Sequence, residues 1–194
     1  MKGLLHKIIS KNQSAFILKR SIVDNIITVF EVQHYPKRKA HGRDGYVALK
    51  LDMSKASDRV EWPFIRLMMT RLGFDERCVN MIMECVSTVK YSLQINGKHS
   101  GPIAPTRGIR KGDPLSPYLF IIIMEGLNEL IQAKEASAEV QGVRVAKNVP
   151  IISHLLFADD SFLFFRAREH ECYVMKDIVT SCAQFSGQLV NFEK

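Results

Sequence analysis

Apolar residues recur at helical spacing over Ser21–Tyr35, where Ile22, Ile26, Ile27, Phe30 and Val32 gather with Asp24 and Glu31 among them. Pro36 and the run Lys37-Arg38-Lys39-Ala40-His41-Gly42-Arg43 predict the end of that helix in a basic loop. Such a charge run is either a solvated loop or a tip that touches phosphates. The period then changes to two. Val47, Leu49 and Leu51 alternate with Ala48 and Lys50, so Tyr46–Leu51 predicts a strand that delivers Asp52 at its end. Pro63–Leu72 predicts a helix stopped by Gly73, and Glu76–Thr88 a second one. Tyr91–Ile95 alternates again and meets Asn96-Gly97, a hairpin dipeptide.

Gly108–Gly112 reads as a loop. The following Asp113-Pro114-Leu115-Ser116-Pro117 opens a helix, with Asp113 or Ser116 as its cap and a proline in the first turn. That helix should run to about Ala136 and bury Leu119, Ile122, Ile123, Leu127 and Leu130. Gly142–Ala146 is a short strand candidate. Ile151–Phe157 and Ser161–Phe165 are apolar on either side of Ala158-Asp159-Asp160, which predicts two strands joined by a tight acidic turn. A helix over Arg168–Phe185, the pair Ser186-Gly187 and a strand over Gln188–Phe192 complete the order. The fold class is α+β, an antiparallel sheet with helices packed on one face.

Composition narrows the function classes. A chain of 194 residues, 46% hydrophobic and 9% aromatic, supports one compact domain rather than two large ones. The apolar run Tyr118–Met124 falls far short of the ~20 residues that span a bilayer, so it is a core helix. Met1–Ser10 is interrupted by Lys2, His6 and Lys7 and does not form a signal peptide. Cys78, Cys85, Cys172 and Cys182 include no C-x-x-C pair, and His170 beside Cys172 does not complete a zinc set. They are expected as reduced thiols of an intracellular protein with no membrane partner. A net charge of +7 points to a polyanionic partner such as nucleic acid, bound more weakly as salt rises.

The acidic turn carries the chemistry. Two carboxylates ~4 Å apart repel by about 4 kcal/mol at an effective dielectric of 20. A chain that keeps such a pair supplies a cation, shares a proton, or leaves both groups in water. An exposed turn is one reading of Asp159-Asp160. Asp52, ending a strand expected in the same sheet, shifts the balance to a metal site. Hard oxygen ligands suit Mg²⁺, and a two-metal carboxylate site suits phosphoryl transfer.

Here a family resemblance becomes specific. Leu51-Asp52-Met53-Ser54-Lys55-Ala56-Ser57-Asp58-Arg59-Val60-Glu61-Trp62 resembles motif A of reverse transcriptases of the non-LTR, LINE-type retrotransposons of plants. Arg110-Lys111-Gly112-Asp113-Pro114-Leu115-Ser116-Pro117-Tyr118-Leu119-Phe120 resembles motif B, and Phe157-Ala158-Asp159-Asp160 motif C. Asn12-Gln13-Ser14-Ala15-Phe16 through Arg20 and Asp24-Asn25 is similar to the N-terminal finger motif. Ser186-Gly187-Gln188 through Asn191 and Lys194 is similar to motif D. The ordered set spans nearly the whole chain.

The resemblance implies a polymerase palm over about 46–194 with interleaved finger elements, and partial fingers over about 1–45. It also implies a chain cut short within motif D, without thumb or endonuclease. It implies RNA-directed DNA polymerisation from dNTP onto a primer 3′-hydroxyl, with an RNA template, a DNA primer and two Mg²⁺ ions, Mn²⁺ being an alternative. Asp52, Asp159 and Asp160 would be the catalytic and metal-binding triad. Arg20, Ser57, Lys111, Gly112 and Lys194 would contact nucleotide or template, Gly112 by shaping the site and Lys194 as a proton donor to pyrophosphate.

Three positions depart from the family pattern. Ser57 stands where an aromatic ring excludes ribonucleotides, Lys111 where glutamine contacts the nucleotide, and Lys19 where a glycine precedes Arg20. If that glycine holds positive φ, lysine strains the backbone there. These departures keep open a catalytically inactive remnant that at most binds nucleic acid. Ser57 also keeps open an RNA polymerase that uses ribonucleotides.

Overall fold

The computed structural model describes residues 2–38, 45–146 and 148–191. In chain order the elements are α1 (Lys2–Ile8), α2 (Ile22–Arg38), β1 (Tyr46–Leu51), β2 (Met53–Ser54), α3 (Trp62–Arg71), α4 (Glu76–Ser87), β3 (Tyr91–Ile95) and β4 (Lys98–Ile103). They continue with α5 (Ser116–Ala136), β5 (His154–Phe157), β6 (Asp160–Arg166), α6 (Glu169–Ser186) and β7 (Leu189–Val190).

The central sheet has the order β1-β6-β5, antiparallel throughout. Residues opposite one another across a ladder share a face. Leu163 and Phe165 of β6 therefore join Leu51 and Val47 in the main core, which α3, α5 and α6 fill. Phe162 and Phe164 point the other way, where Val29 and Val32 of α2 cover them. The helical layer expected on one face is present, and α2 adds cover on the second. Phe162 to Phe165 are apolar at every position because both faces are shielded.

The core is organised on α5, whose residues Leu119–Asn128 are all buried. Its N-cap position is Leu115, which offers no side-chain cap. The expected capping residues act otherwise. Asp113 Oδ1 accepts from the Leu115 amide at 2.8 Å, and the Ser116 hydroxyl donates to the Arg110 carbonyl at 2.6 Å. Both hold the preceding loop instead of the first helical turn.

Two polar residues interrupt the α5 surface, Glu125 and Asn128, each 3% exposed. Ser10 donates to Glu125 at 3.0 Å, and Asn128 donates to its other oxygen at 3.0 Å. Asn128 Oδ1 also lies 2.9 Å from the ring of His154, which contacts Asn12 and Ser153. This buried network docks the N-terminal segment onto α5 and β5. Burial pushes the Glu125 carboxyl up to about 7, against Ser10 and Arg20, while nearby Glu129 adds to the rise. Burial also pushes His154 down to about 4.

Other expectations are corrected in detail. Helix α2 continues through Pro36 to Arg38 instead of ending before the basic run. Proline forfeits its own bond to the carbonyl four residues back, and the helix ends two residues later, within its last turn. The tip at 39–43 lies outside the described residues, as does Lys194. Gly142–Ala146 contributes a single bridge, Val143 to Ile152, and the terminal strand is only Leu189–Val190. Helix α1 had no expectation, because its pattern is short and mixed. The Asn96-Gly97 hairpin stands as read, with φ of 50° and 79°. No helix among the described residues is long and apolar enough to cross a membrane.

Lys19 takes φ 65°, the left-handed conformation that a glycine before Arg20 would hold without strain. A non-glycine residue there costs about 1–2 kcal/mol, partly offset by the greater chain entropy that glycine loses on folding. Lys19→Gly should therefore raise unfolding stability by roughly 0.5–1 kcal/mol in urea titration. An unchanged or lowered midpoint would reject the strain.

Candidate active site

Asp52 directly follows β1, and the ladder places Leu51 opposite Ser161. Extending that register by one residue sets Asp52 opposite Asp160 at the sheet's end. Phe157 pairs with Asp160 across a turn made of Ala158 and Asp159. Three acidic residues from two distant segments therefore meet at one edge, as the sequence predicted. Asp159 and Asp160 are exposed, and Asp52 is half-buried.

A cation already faces them. Lys50 Nζ lies 3.0 Å from Asp160 Oδ1. The hydrogen bond and charge of Asp160 hold Lys50 above the ordinary lysine range, and Asp52 and Asp159 add to the same effect. Sequence reasoning gave Lys50 no role. The signal was present, since a residue two before Asp52 on a strand shares its face.

Asp159 opens into a hollow of about 240 Å³ lined also by Ser57, Lys111 and Gly112, with Arg110 and Phe16 at its wall. Four of the residues singled out in sequence, from three separate segments, thus border one space. Lys111 Nζ also pairs with Asp58 at 3.2 Å. Gly112 takes φ 82°, and a Cβ at that position would meet nothing within 4 Å, so its requirement is conformation rather than room.

The stretch after Asp52 and the loop before α5 are held together closely. The Ile109 amide donates to the Ser57 carbonyl at 2.9 Å, and the Gly108 amide to the Val60 carbonyl at 2.7 Å. Trp62 Nε1 donates to the Gly108 carbonyl at 2.8 Å. A Cβ on Gly108 would meet the Asp58 carbonyl at 2.7 Å, and φ there is 88°. This position needs glycine on both counts, and the contact keeps the loop before α5 close against the stretch after Asp52.

Arg20 is placed differently from its expected phosphate contact. Its guanidinium donates to the carbonyls of Ser10 and Gln13, and to Ile9 at 3.2 Å. Burial lowers its pKa from the usual arginine range, with Glu125 opposing that effect. It braces the chain leaving α1.

The donor set suits a hard divalent ion, which takes few protein carboxylates and completes its shell with water and phosphate oxygens. Among the described residues no three His, Cys, Asp or Glu side chains close around one point. The triad is an open edge, with Lys50 on one side, and its accessible carboxylates fit an ion that shares its ligands with a substrate.

The fold matches solved telomerases. Apo telomerase from Candida tropicalis, truncated from its C-terminal domain, aligns with TM-score 0.67 at 15% identity, covering 99% of this chain and 37% of that one. Telomerase from Candida albicans, in complex with a fragment of telomeric RNA, aligns with TM-score 0.63 at 13% identity, covering 89% and 29%. The fold is that of a reverse-transcriptase palm with fingers. Residues 1–194 match the reverse transcriptase (RNA-dependent DNA polymerase) family, and the chain belongs to that family.

Its relatives include an uncharacterized mitochondrial protein of Arabidopsis thaliana, 51% identical over 67 residues, which are 34% of this chain and 55% of that protein. The Pol polyprotein of the type-1 retrotransposable element R2 of Popillia japonica is 28% identical over 87% of this chain and 27% of its own length. That of Nasonia vitripennis is 30% identical over 84% and 15%. The expected non-LTR kinship is therefore shown, and the chain spans only part of each relative.

Proposed function

We propose that this chain is the core of an RNA-directed DNA polymerase that joins a dNTP to a primer 3′-hydroxyl on an RNA template. One observation carries the reading: Ser57, Lys111, Gly112 and Asp159, far apart in sequence, line one hollow beside an acidic sheet edge. Asp52, Asp159 and Asp160 would hold Mg²⁺, or Mn²⁺ in its place. When bound, the ions activate the attacking hydroxyl and stabilise the leaving oxygen.

The chain's own residues do the rest. Arg110 and Lys111 give the hollow the positive charge that a triphosphate requires. Gly112 lets the loop turn beneath it, and the Gly108–Val60 and Ile109–Ser57 contacts fix the width of the hollow. Lys50 offsets carboxylate repulsion before substrate arrives. Arg20 acts through the α1 exit that it braces, while Lys194 remains a candidate proton donor to pyrophosphate.

The test is extension of a DNA primer on an RNA template with Mg²⁺. Extension that requires both metal and template supports the polymerase. Salt-sensitive binding without extension, from folded protein, supports the second reading of an inactive nucleic-acid binder, which the unusual Ser57 and Lys111 favour.

Ser57 bears on the choice of sugar. A serine beside the hollow is too small to block a 2′-hydroxyl, so dNTP and NTP should be used with similar kcat/KM. Ser57→Phe should restore a preference for dNTP of roughly a hundred-fold, the worth of about 3 kcal/mol of steric exclusion. Strong dNTP preference in the unaltered chain would refute this account.

A further inference from the structure

We infer that Gln13 is a positioning residue for the acidic turn, holding Ala158 so that Asp159 faces the hollow. The inference rests on the polymerase reading for its consequence in catalysis, but its structural content can be tested separately.

Gln13 is fully buried. It lies in the stretch that runs beside β5 as a parallel edge: Gln13 bridges Leu156, the Leu156 amide donates to the Asn12 carbonyl at 2.8 Å, and the Ser14 amide donates to the Leu156 carbonyl at 3.0 Å. Those bonds are all backbone, so any side chain at 13 preserves them. The glutamine side chain does something else. Its Oε1 accepts from the Ala15 amide at 2.9 Å and from the Ala158 amide at 3.3 Å.

Ala158 sits outside the β5–β6 ladder, whose last pair is Phe157 with Asp160. It also holds φ 53°, a left-handed conformation that an alanine does not favour. Such a conformation persists only where surrounding structure imposes it. The Gln13 oxygen that receives the Ala158 amide is delivered from 145 residues away.

The other half of the amide strengthens the argument. Gln13 Nε2 is buried without a partner among the described residues. A buried unsatisfied donor is a liability that methionine or leucine would avoid. The residue's worth therefore lies in its oxygen, and that oxygen is spent on the turn preceding Asp159. The N-terminal segment thus sets the direction of a catalytic carboxylate without touching substrate.

The experiment is residue-resolved amide exchange by NMR on the intact chain, with Gln13→Met and Gln13→Glu, alongside primer extension. In Gln13→Met the Ala158 amide should exchange at least about ten-fold faster, while Leu156, held by backbone, stays within about three-fold. Gln13→Glu, whose carboxyl oxygen accepts in either protonation state, should restore Ala158 protection. Extension by Gln13→Met should lose kcat by about ten-fold or more with KM for dNTP nearly unchanged.

Unchanged exchange at Ala158 would overturn the inference. So would equal acceleration of Ala158 and Leu156, which marks a merely structural prop, or a kcat that ignores a loosened turn. If the unaltered chain extends no primer, the polymerase reading fails, and the exchange comparison still decides whether Gln13 holds the turn.

Discussion

Asp159→Asn should reduce primer extension by roughly a thousand-fold or more, the equivalent of about 4 kcal/mol of transition-state stabilisation. It should do so without unfolding the chain. Asp159 lies in a two-residue turn, and asparagine suits turns as well as aspartate does. Neutralising one of three clustered carboxylates also relieves repulsion, so the variant should be as stable as the parent or slightly more so. Asp160→Asn differs, because it also removes the partner of Lys50. That pair is solvent-exposed, so its loss should leave the unfolding midpoint nearly unchanged. Thermal unfolding and extension measured on the same preparations separate the effects. Extension by Asp159→Asn at the parental rate would sink the assignment of the acidic edge as the catalytic centre.

The second large effect concerns pH. Glu125 moves from 4.5 to about 7 in the fold because burial disfavours its charge. For an acid raised on folding, ionisation opposes the native state: the penalty is absent below about pH 4.5, grows to about pH 7 and then levels off. Its full size is on the order of 3 kcal/mol. His154, lowered from 6.5 to about 4, acts in the opposite sense. Its contribution is fully present above about pH 6.5 and is lost as pH falls through about 4. Between these limits the two slopes largely cancel, so their joint effect on the parent should be shallow from about pH 4.5 to 6.5.

Glu125→Gln removes one slope and leaves the other. Relative to the parent, the variant should gain roughly 3 kcal/mol between about pH 4 and pH 8, read from urea midpoints. Parallel profiles for the two proteins would show that Glu125 does not titrate as described. Burial lifts the Glu125 titration out of the usual carboxylate range to about 7. The joint between the N-terminal segment and the palm thus sits close to its own titration point.

Much of this was readable in the sequence, for reasons that differ by element. Tyr46–Leu51 announced itself through period two, and the acidic hairpin through apolar runs on both sides of Ala158-Asp159. Ser57, Lys111, Gly112 and Asp159 border one hollow because the loop before α5 is bonded to the stretch after Asp52. What was not legible depended on contacts at long range. Arg20 reads in sequence as a phosphate ligand, yet the carbonyls of Ile9, Ser10 and Gln13 claim it. Glu125 and Asn128 are only two polar letters in an apolar helix, and nothing local says that Ser10 and His154 will reach them. Likewise, the second cover on the sheet depends on Val32 meeting Phe164 from far along the chain, which no periodicity encodes.

Asp52 stands where the backbone passes from one sheet to another. On its N-terminal side Leu51 is registered against Ser161, and on its C-terminal side Met53 is registered against Val190. The Asn191 amide also donates to the Asp52 carbonyl at 3.0 Å. The carboxylate is thus surveyed from two benchmarks, one in the acidic hairpin and one in the last described strand. Moving Asp52 away from Asp160 would disturb the register of its neighbours with Ser161 or with Val190. The two-residue strand β7 contributes little to the sheet as material. It acts as the second bearing that turns a line of sight into a fixed position.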